Sequence, residues 1–224
     1  MTSARSYDDP CGIARALDVI GDRWALLVVR EMIFGPKRFV QLRQDLPSVS
    51  PNVLSQRLDD LESAGIVRRR ILEPPASVAV YELTDRGCAL EPVLVELGRW
   101  GSREPVTASR EMSSDALLVA LKTVFDPSSA TDGVFALNMD RDWYQVVVSA
   151  GSIKISRSRP AQPSATFETD VATLRTVAFG REPIAAAERA GRMVVTGDRD
   201  LAERFTRMFP AGGPSGRETV TSVS

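Results

Sequence analysis

Three consecutive arginines, Arg68, Arg69 and Arg70, follow a stretch in which Leu54, Leu58 and Leu61 recur at helical spacing and Asn52, Ser55, Gln56 and Asp59 fall on the opposite side. Guanidinium groups grip phosphate, and short polar side chains on one helix face can reach base edges in a major groove. These types at this spacing point to duplex DNA. Lys37 and Arg38 would hold phosphate at the entrance of a preceding helix, and Ser50 and Arg57 flank the polar face. The candidate DNA-binding set is therefore Lys37, Arg38, Ser50, Asn52, Ser55, Gln56, Arg57, Arg69 and Arg70. A small α+β domain with a merely solvated helix face fits the same pattern, and such domains also serve as protein-docking modules.

Other chemistry is poorly supplied. The chain has no histidine, which removes Ser-His-Asp and Cys-His nucleophilic machinery and the commonest transition-metal ligand. Its two cysteines, Cys11 and Cys88, are too few for a disulfide framework or a zinc site. Asp198 and Asp200 resemble a carboxylate pair, but both sit where helix capping accounts for them. No catalytic residue, metal or cofactor is expected, and an enzyme is the weakest reading.

The elements that must position the DNA-binding set are a winged helix-turn-helix. Gly35-Pro36 would open a first helix with proline at its first position, and Pro47 would end it. Ser50-Pro51 opens the second helix with a capping hydroxyl, and Gly65 closes it. The period then shortens to two through residues 67–72, Glu73 to Ser77 breaks the run, and Val78 to Leu83 supplies a returning strand. Ahead of these, Ile13, Leu17, Ile20, Trp24 and Leu27 follow the spacing of a buried stripe. Gly21-Asp22 divides that stripe into two helices, with Asp22 capping the second. After the wing, Thr84 caps a helix carrying Leu90, Val93, Leu94, Leu97 and Trp100. A single wing domain has little left to bury such a stripe.

The 224 residues leave room for two domains, and 28 basic against 29 acidic side chains exclude DNA binding through bulk charge. Locally, residues 36–70 carry seven basic and four acidic groups, net +3, so one face should be basic and affinity should fall with salt. Without an apolar run of about 18 residues or a signal-peptide pattern, the expectation is a cytoplasmic protein with no membrane partner.

Residues 11–101 resemble the HxlR-type winged-helix transcriptional regulators, relatives of the MarR-like group. The matching residues are Cys11, Asp18-Val-Ile-Gly-Asp-Arg-Trp24, Gly35-Pro-Lys-Arg-Phe39, Leu42, Leu54-Ser-Gln-Arg-Leu58 and Leu61. They continue through Gly65-Ile-Val67, Arg69, Tyr81-Glu-Leu-Thr84, Gly87, Leu90, Pro92 and Trp100. The resemblance implies a homodimeric regulator, expected to be a repressor, with its N-terminal helix and the helix after the wing forming the dimer. It also makes Cys11 a candidate redox-sensing thiol; a small, half-buried side chain is the favoured reading, because no basic residue adjoins it. Cys88 departs from the sensing pattern and is read as core packing.

Residues 105–114 read as a linker between a DNA-binding and dimerisation domain at 1–104 and a second domain at 115–210, with 211–224 as a disordered tail. The second domain reads as a helix to Phe125, strands at 134–139, 143–149, 151–156 and 165–169, helices at 170–179 and 183–190, a strand at 192–196 and a last helix from Asp198. This order and Ala190-Gly-Arg-Met-Val-Val-Thr-Gly-Asp198, with Leu201, Phe205 and Phe209, resemble the sterol-carrier-protein type 2 fold. The fold class is accordingly α+β, a winged helix plus a sterol-carrier-like domain. That resemblance implies a five-stranded sheet and an apolar tunnel, with Phe135, Leu137, Trp143, Val146, Val148, Phe167 and Phe179 as candidate lining for an apolar effector; ordinary core is their alternative. A lipid or metabolite carrier using the winged helix only to dimerise is the competing function.

Overall fold

Gly21 and Asp22 interrupt the first apolar stripe, so that α1 (Gly12–Ile20) ends before them and α2 (Ala25–Arg30) begins after them. The computed structural model describes residues 6–73, 77–104, 110–140, 142–180 and 182–210, and the chain divides into two compact units, Met1–Val95 and Glu96–Ser224. The tip of the wing at 74–76, residues 105–109 of the linker and the tail from 211 lie outside the described residues.

In the first unit α3 (Phe39–Asp45) and α4 (Pro51–Ser63) precede an antiparallel hairpin of β1 (Val67–Ile71) and β2 (Ala79–Leu83). A one-turn helix α5 (Asp85–Cys88) follows, and then α6 (Glu91–Gly101), which begins in this unit and ends in the second. Val28, Val29, Leu42, Leu54, Leu58 and Ile66 are buried in one core. Three expectations change. Helix α3 starts at Phe39, not at Pro36, because Lys37 is extended and exchanges two main-chain hydrogen bonds with Tyr81, 2.9 and 2.8 Å, adding a short third strand to the wing. Asp22 does not cap α2 with its side chain: Trp24 stands at the N-cap with φ 81°, and Asp22 turns to Arg57. The stripe on α1 is buried only at its end. Ile20 is 8% exposed, whereas Ile13 is 72% and Leu17 43%. Val93, Leu97 and Trp100 of α6 are exposed as well, and only Leu94 of that helix is buried.

In the second unit the end of α6 is followed by α7 (Ser114–Val124), capped by Ser113, and a 3-10 turn at Pro127–Ser129. Then come β3 (Gly133–Met139), β4 (Asp142–Ser149), β5 (Ser152–Ser156), β6 (Ala165–Thr169), α8 (Val171–Ala178), α9 (Ile184–Arg189), β7 (Met193–Gly197) and α10 (Arg199–Arg207). The sheet order is β5-β4-β3-β6-β7, with β3 and β6 parallel and every other pair antiparallel. Ala150 and Gly151 both take positive φ, 48° and 70°, the geometry of a tight hairpin whose twist matches that of the strands. Asp170 and Asp198 cap α8 and α10; the Asp198 carboxylate accepts from the main-chain N–H of Leu201 at 3.0 Å, so it serves the helix end.

Alternate residues of the strands face α10. Phe205 packs against Phe135, Phe167 and Phe209, with ring centroids 4.5, 5.3 and 5.1 Å apart. Five of the seven residues expected to line a tunnel, Phe135, Leu137, Val146, Val148 and Phe167, fill this close-packed core. Trp143 is half-buried beneath the guanidinium of Arg159, and Phe179 is half-buried at the end of α8. A cavity of about 460 Å3 in this unit is lined instead by Val177, Ala178, Ile184 and Phe209, with Glu203 and Arg207 among its polar groups. Among the described residues no helix is long and apolar enough to cross a membrane.

Candidate nucleic-acid interface

Helix α4 is set by its own sequence. The Ser50 hydroxyl accepts from the N–H of Val53 at 3.4 Å, Pro51 supplies the first turn, and Leu54, Leu58 and Leu61 are at most 1% exposed. That burial turns Asn52, Ser55, Gln56 and Asp59 to solvent. Ser50 is exposed too, but its hydroxyl is committed to the cap. Gln56 donates to Asp60 at 2.8 Å.

Two members of the predicted set are already paired with carboxylates. Lys37 is 3% exposed, with its ammonium 3.4 Å from Glu31 and in contact with Asp45. Pairing residue 37 with β2 removes it from any helix entrance, so Lys37 joins α2, α3 and the wing and does not present a charge to a phosphate. Arg57 has a 16% exposed side chain and is held by Asp22 and, at 3.0 Å, by Asp60. Its guanidinium lies on the flank of the polar face. Arg38 remains exposed at the N-cap of α3, where its N–H donates to Gln41 at 2.9 Å.

The wing divides its arginines. Successive strand residues point to opposite faces, so Arg68 and Arg70 share one side, where both reach Glu82, at 2.7 and 3.0 Å. Arg69, opposite Tyr81, points to the other. Arg68 lies outside the predicted set; the period of two is the signal that pairs it with Arg70. Exposed ion pairs are worth about 0–1 kcal/mol, so a phosphate can draw either arginine away from Glu82.

Both cysteines are exposed, contrary to expectation. Each stands at a helix end, Cys11 at the N-cap of α1 and Cys88 as the last residue of α5, where no core reaches it. Partial burial first, then Asp85, Glu91 and Glu82, push the Cys88 thiol above its ordinary pKa. Because the thiolate is the nucleophile, Cys88 should alkylate with iodoacetamide at pH 8 more slowly than free cysteine, its rate still climbing at higher pH. Peptide mass spectrometry of a timed reaction checks this, and a rate equal to that of free cysteine contradicts the acidic surroundings.

The model of the HxlR-like helix-turn-helix family matches residues 19–107. The HTH-type transcriptional regulator YvaP of Bacillus subtilis (strain 168) is 39% identical over 89 residues, which cover 39% of this chain and 82% of YvaP. YodB, an HTH-type transcriptional regulator of the same organism, is 34% identical over 88 residues, covering 39% of this chain and 79% of YodB. Among solved structures, the redox regulator HypR in its oxidized form is 34% identical, with 43% of this chain and 100% of that chain covered and a TM-score of 0.40. A family match that spans both helices of the helix-turn-helix and the wing, with relatives covered over most of their length, makes this chain a member of the HxlR family of DNA-binding transcriptional regulators, which are not enzymes.

Proposed function

We propose that the chain is a homodimeric transcriptional repressor that inserts α4 into the major groove of an operator and steadies the duplex with its wing. One observation carries this reading: a leucine-backed helix turns Asn52, Ser55 and Gln56 to solvent, and a hairpin bearing exposed Arg68, Arg69 and Arg70 follows it directly. Base-facing polar side chains specify, whereas guanidinium contacts to phosphate position. The apolar residues left exposed on α1 and α6, Ile13, Leu17, Val93, Leu97 and Trp100, support dimerisation through those helices. Two-fold symmetry then sets the half-sites about 34 Å apart or a multiple of that.

For the second unit the proposal is a sterol-carrier-like domain holding an apolar effector. A five-stranded sheet with α7 to α10 around it supports that reading, and the cavity between α8, α9 and α10 offers the space. Cys11, exposed ahead of α1, remains the candidate thiol for redox control of the same repressor.

Genomic footprinting followed by gel shifts tests the assignment. Gln56→Ala should weaken operator binding by about 1–3 kcal/mol and relax sequence preference. Arg70→Ala should weaken all sequences alike and reduce the salt slope by about one. A genome without a discrete footprint, or a Gln56→Ala variant with unaltered preference, defeats the helix assignment and favours a carrier that uses the winged helix only to dimerise.

A further inference from the structure

We propose that Val53 reads the C5-methyl group of a thymine, so that each half-site of the operator carries an A·T pair opposite the first turn of α4. This contact rests on the reading of α4 as the groove-inserting helix. Val53 is the third residue of α4, and its N–H is held by the Ser50 cap at 3.4 Å. The first turn of a recognition helix is the part that meets base edges. Among the described residues of α4, Val53 alone is a large apolar side chain left exposed, at 41%. Single exposed valines are ordinary on protein surfaces, but this one stands where a groove-reading helix meets its bases. The fold does not ask for it there. It has no place in the core that holds Leu54, Leu58 and Leu61, and a β-branched residue is a poorer helix former than alanine.

The surroundings of Val53 keep its methyl groups clear. Gln56 and Arg57, three and four residues further on, are its neighbours on the helix surface. Both reach onward to Asp60, Gln56 at 2.8 Å and Arg57 at 3.0 Å, and neither folds back over Val53. The first turn therefore presents the short amide of Asn52 beside a bare isopropyl group. In the major groove only thymine carries a methyl group; guanine, adenine and cytosine show hydrogen-bonding groups there. A valine laid against those groups takes them out of water with nothing in return, whereas against a thymine methyl it gains apolar burial. Val53 thus discriminates by attraction to one base and by desolvation of the other three.

Deoxyuridine pairs as thymine does and lacks only the C5 methyl. Each thymine of one footprinted half-site is replaced by it in turn, and the affinity of the full chain is read in gel shifts at fixed salt. One replacement, at a base facing the first turn of α4, should weaken binding about fourfold, the worth of one buried methyl group. Val53→Ala should weaken binding to the unmodified operator by a similar factor, lose nothing further on that deoxyuridine duplex, and keep the salt slope, because no phosphate contact goes. Val40→Ala, which trims a valine 60% exposed on α3, should leave the deoxyuridine penalty intact. A half-site without thymine, or deoxyuridine duplexes that all bind within about twofold of the parent, overturns the proposal. So does a penalty that persists in Val53→Ala or vanishes in Val40→Ala. If Gln56→Ala still relaxes sequence preference, such a result removes the thymine contact and leaves α4 in the groove; if Gln56→Ala changes nothing either, the DNA reading is what fails.

Discussion

Lys37→Ala should lower the stability of the chain by about 3 kcal/mol and leave the salt slope of DNA binding unchanged. Removing the lysine from a buried ion pair strands its partners, and the usual loss is about 3–5 kcal/mol. The low end applies because Glu31 keeps Arg30, whose Nε donates at 2.9 Å, and because the Asp45 side chain is 25% exposed and regains some water. A shift of the urea midpoint at constant m would measure the loss. Arg70→Ala is the converse case. Its exposed pair with Glu82 contributes little to folding, so stability should move by no more than about 0.5 kcal/mol while the salt slope drops. If Lys37→Ala instead keeps full stability and takes a phosphate contact off the slope, the buried ion pair is not what Lys37 does.

The two lysine readings show which features of this fold are legible in the chain. The cap at Ser50-Pro51 and the burial of Leu54, Leu58 and Leu61 are local, fixed by side chains within a few turns of one another, and they stand as expected. The strand boundaries of the second unit are local in the same way, punctuated by Ala150-Gly151 and by capping aspartates. What could not be read was the identity of a distant partner. The extended state of Lys37 depends on Tyr81, and the guanidinium of Arg57, on the flank of the polar face, is taken by Asp22, 35 residues earlier. Charge and spacing near residue 57 look the same whether that carboxylate is present or not. The parallel pairing of β3 with β6 is likewise set by the whole sheet and leaves no mark on either strand. The exposure of both cysteines is not legible for a related reason, since burial at a helix end depends on what the rest of the chain folds over it.

The same distance effect decides whether the apolar strand residues of the second unit enclose a space or fill one, and Phe205→Ala should tell. Phe205 comes from α10, far along the chain from β3, yet its ring lies 4.5 Å from that of Phe135 and 5.3 Å from that of Phe167. Truncating a phenylalanine packed on all sides removes its transfer free energy and leaves a void that its neighbours close only in part, a loss of about 3–5 kcal/mol. Phe205→Leu keeps most of the volume and should lose distinctly less. A ring that instead borders an existing lumen has fewer contacts to lose, and its removal merely enlarges that lumen. Chemical denaturation of the two variants separates these cases: a large loss for alanine with a smaller one for leucine supports close packing. A Phe205→Ala loss below about 1 kcal/mol would return Phe135 and Phe167 to the wall of a ligand tunnel, and the effector would then sit beneath the sheet face, not between α8, α9 and α10.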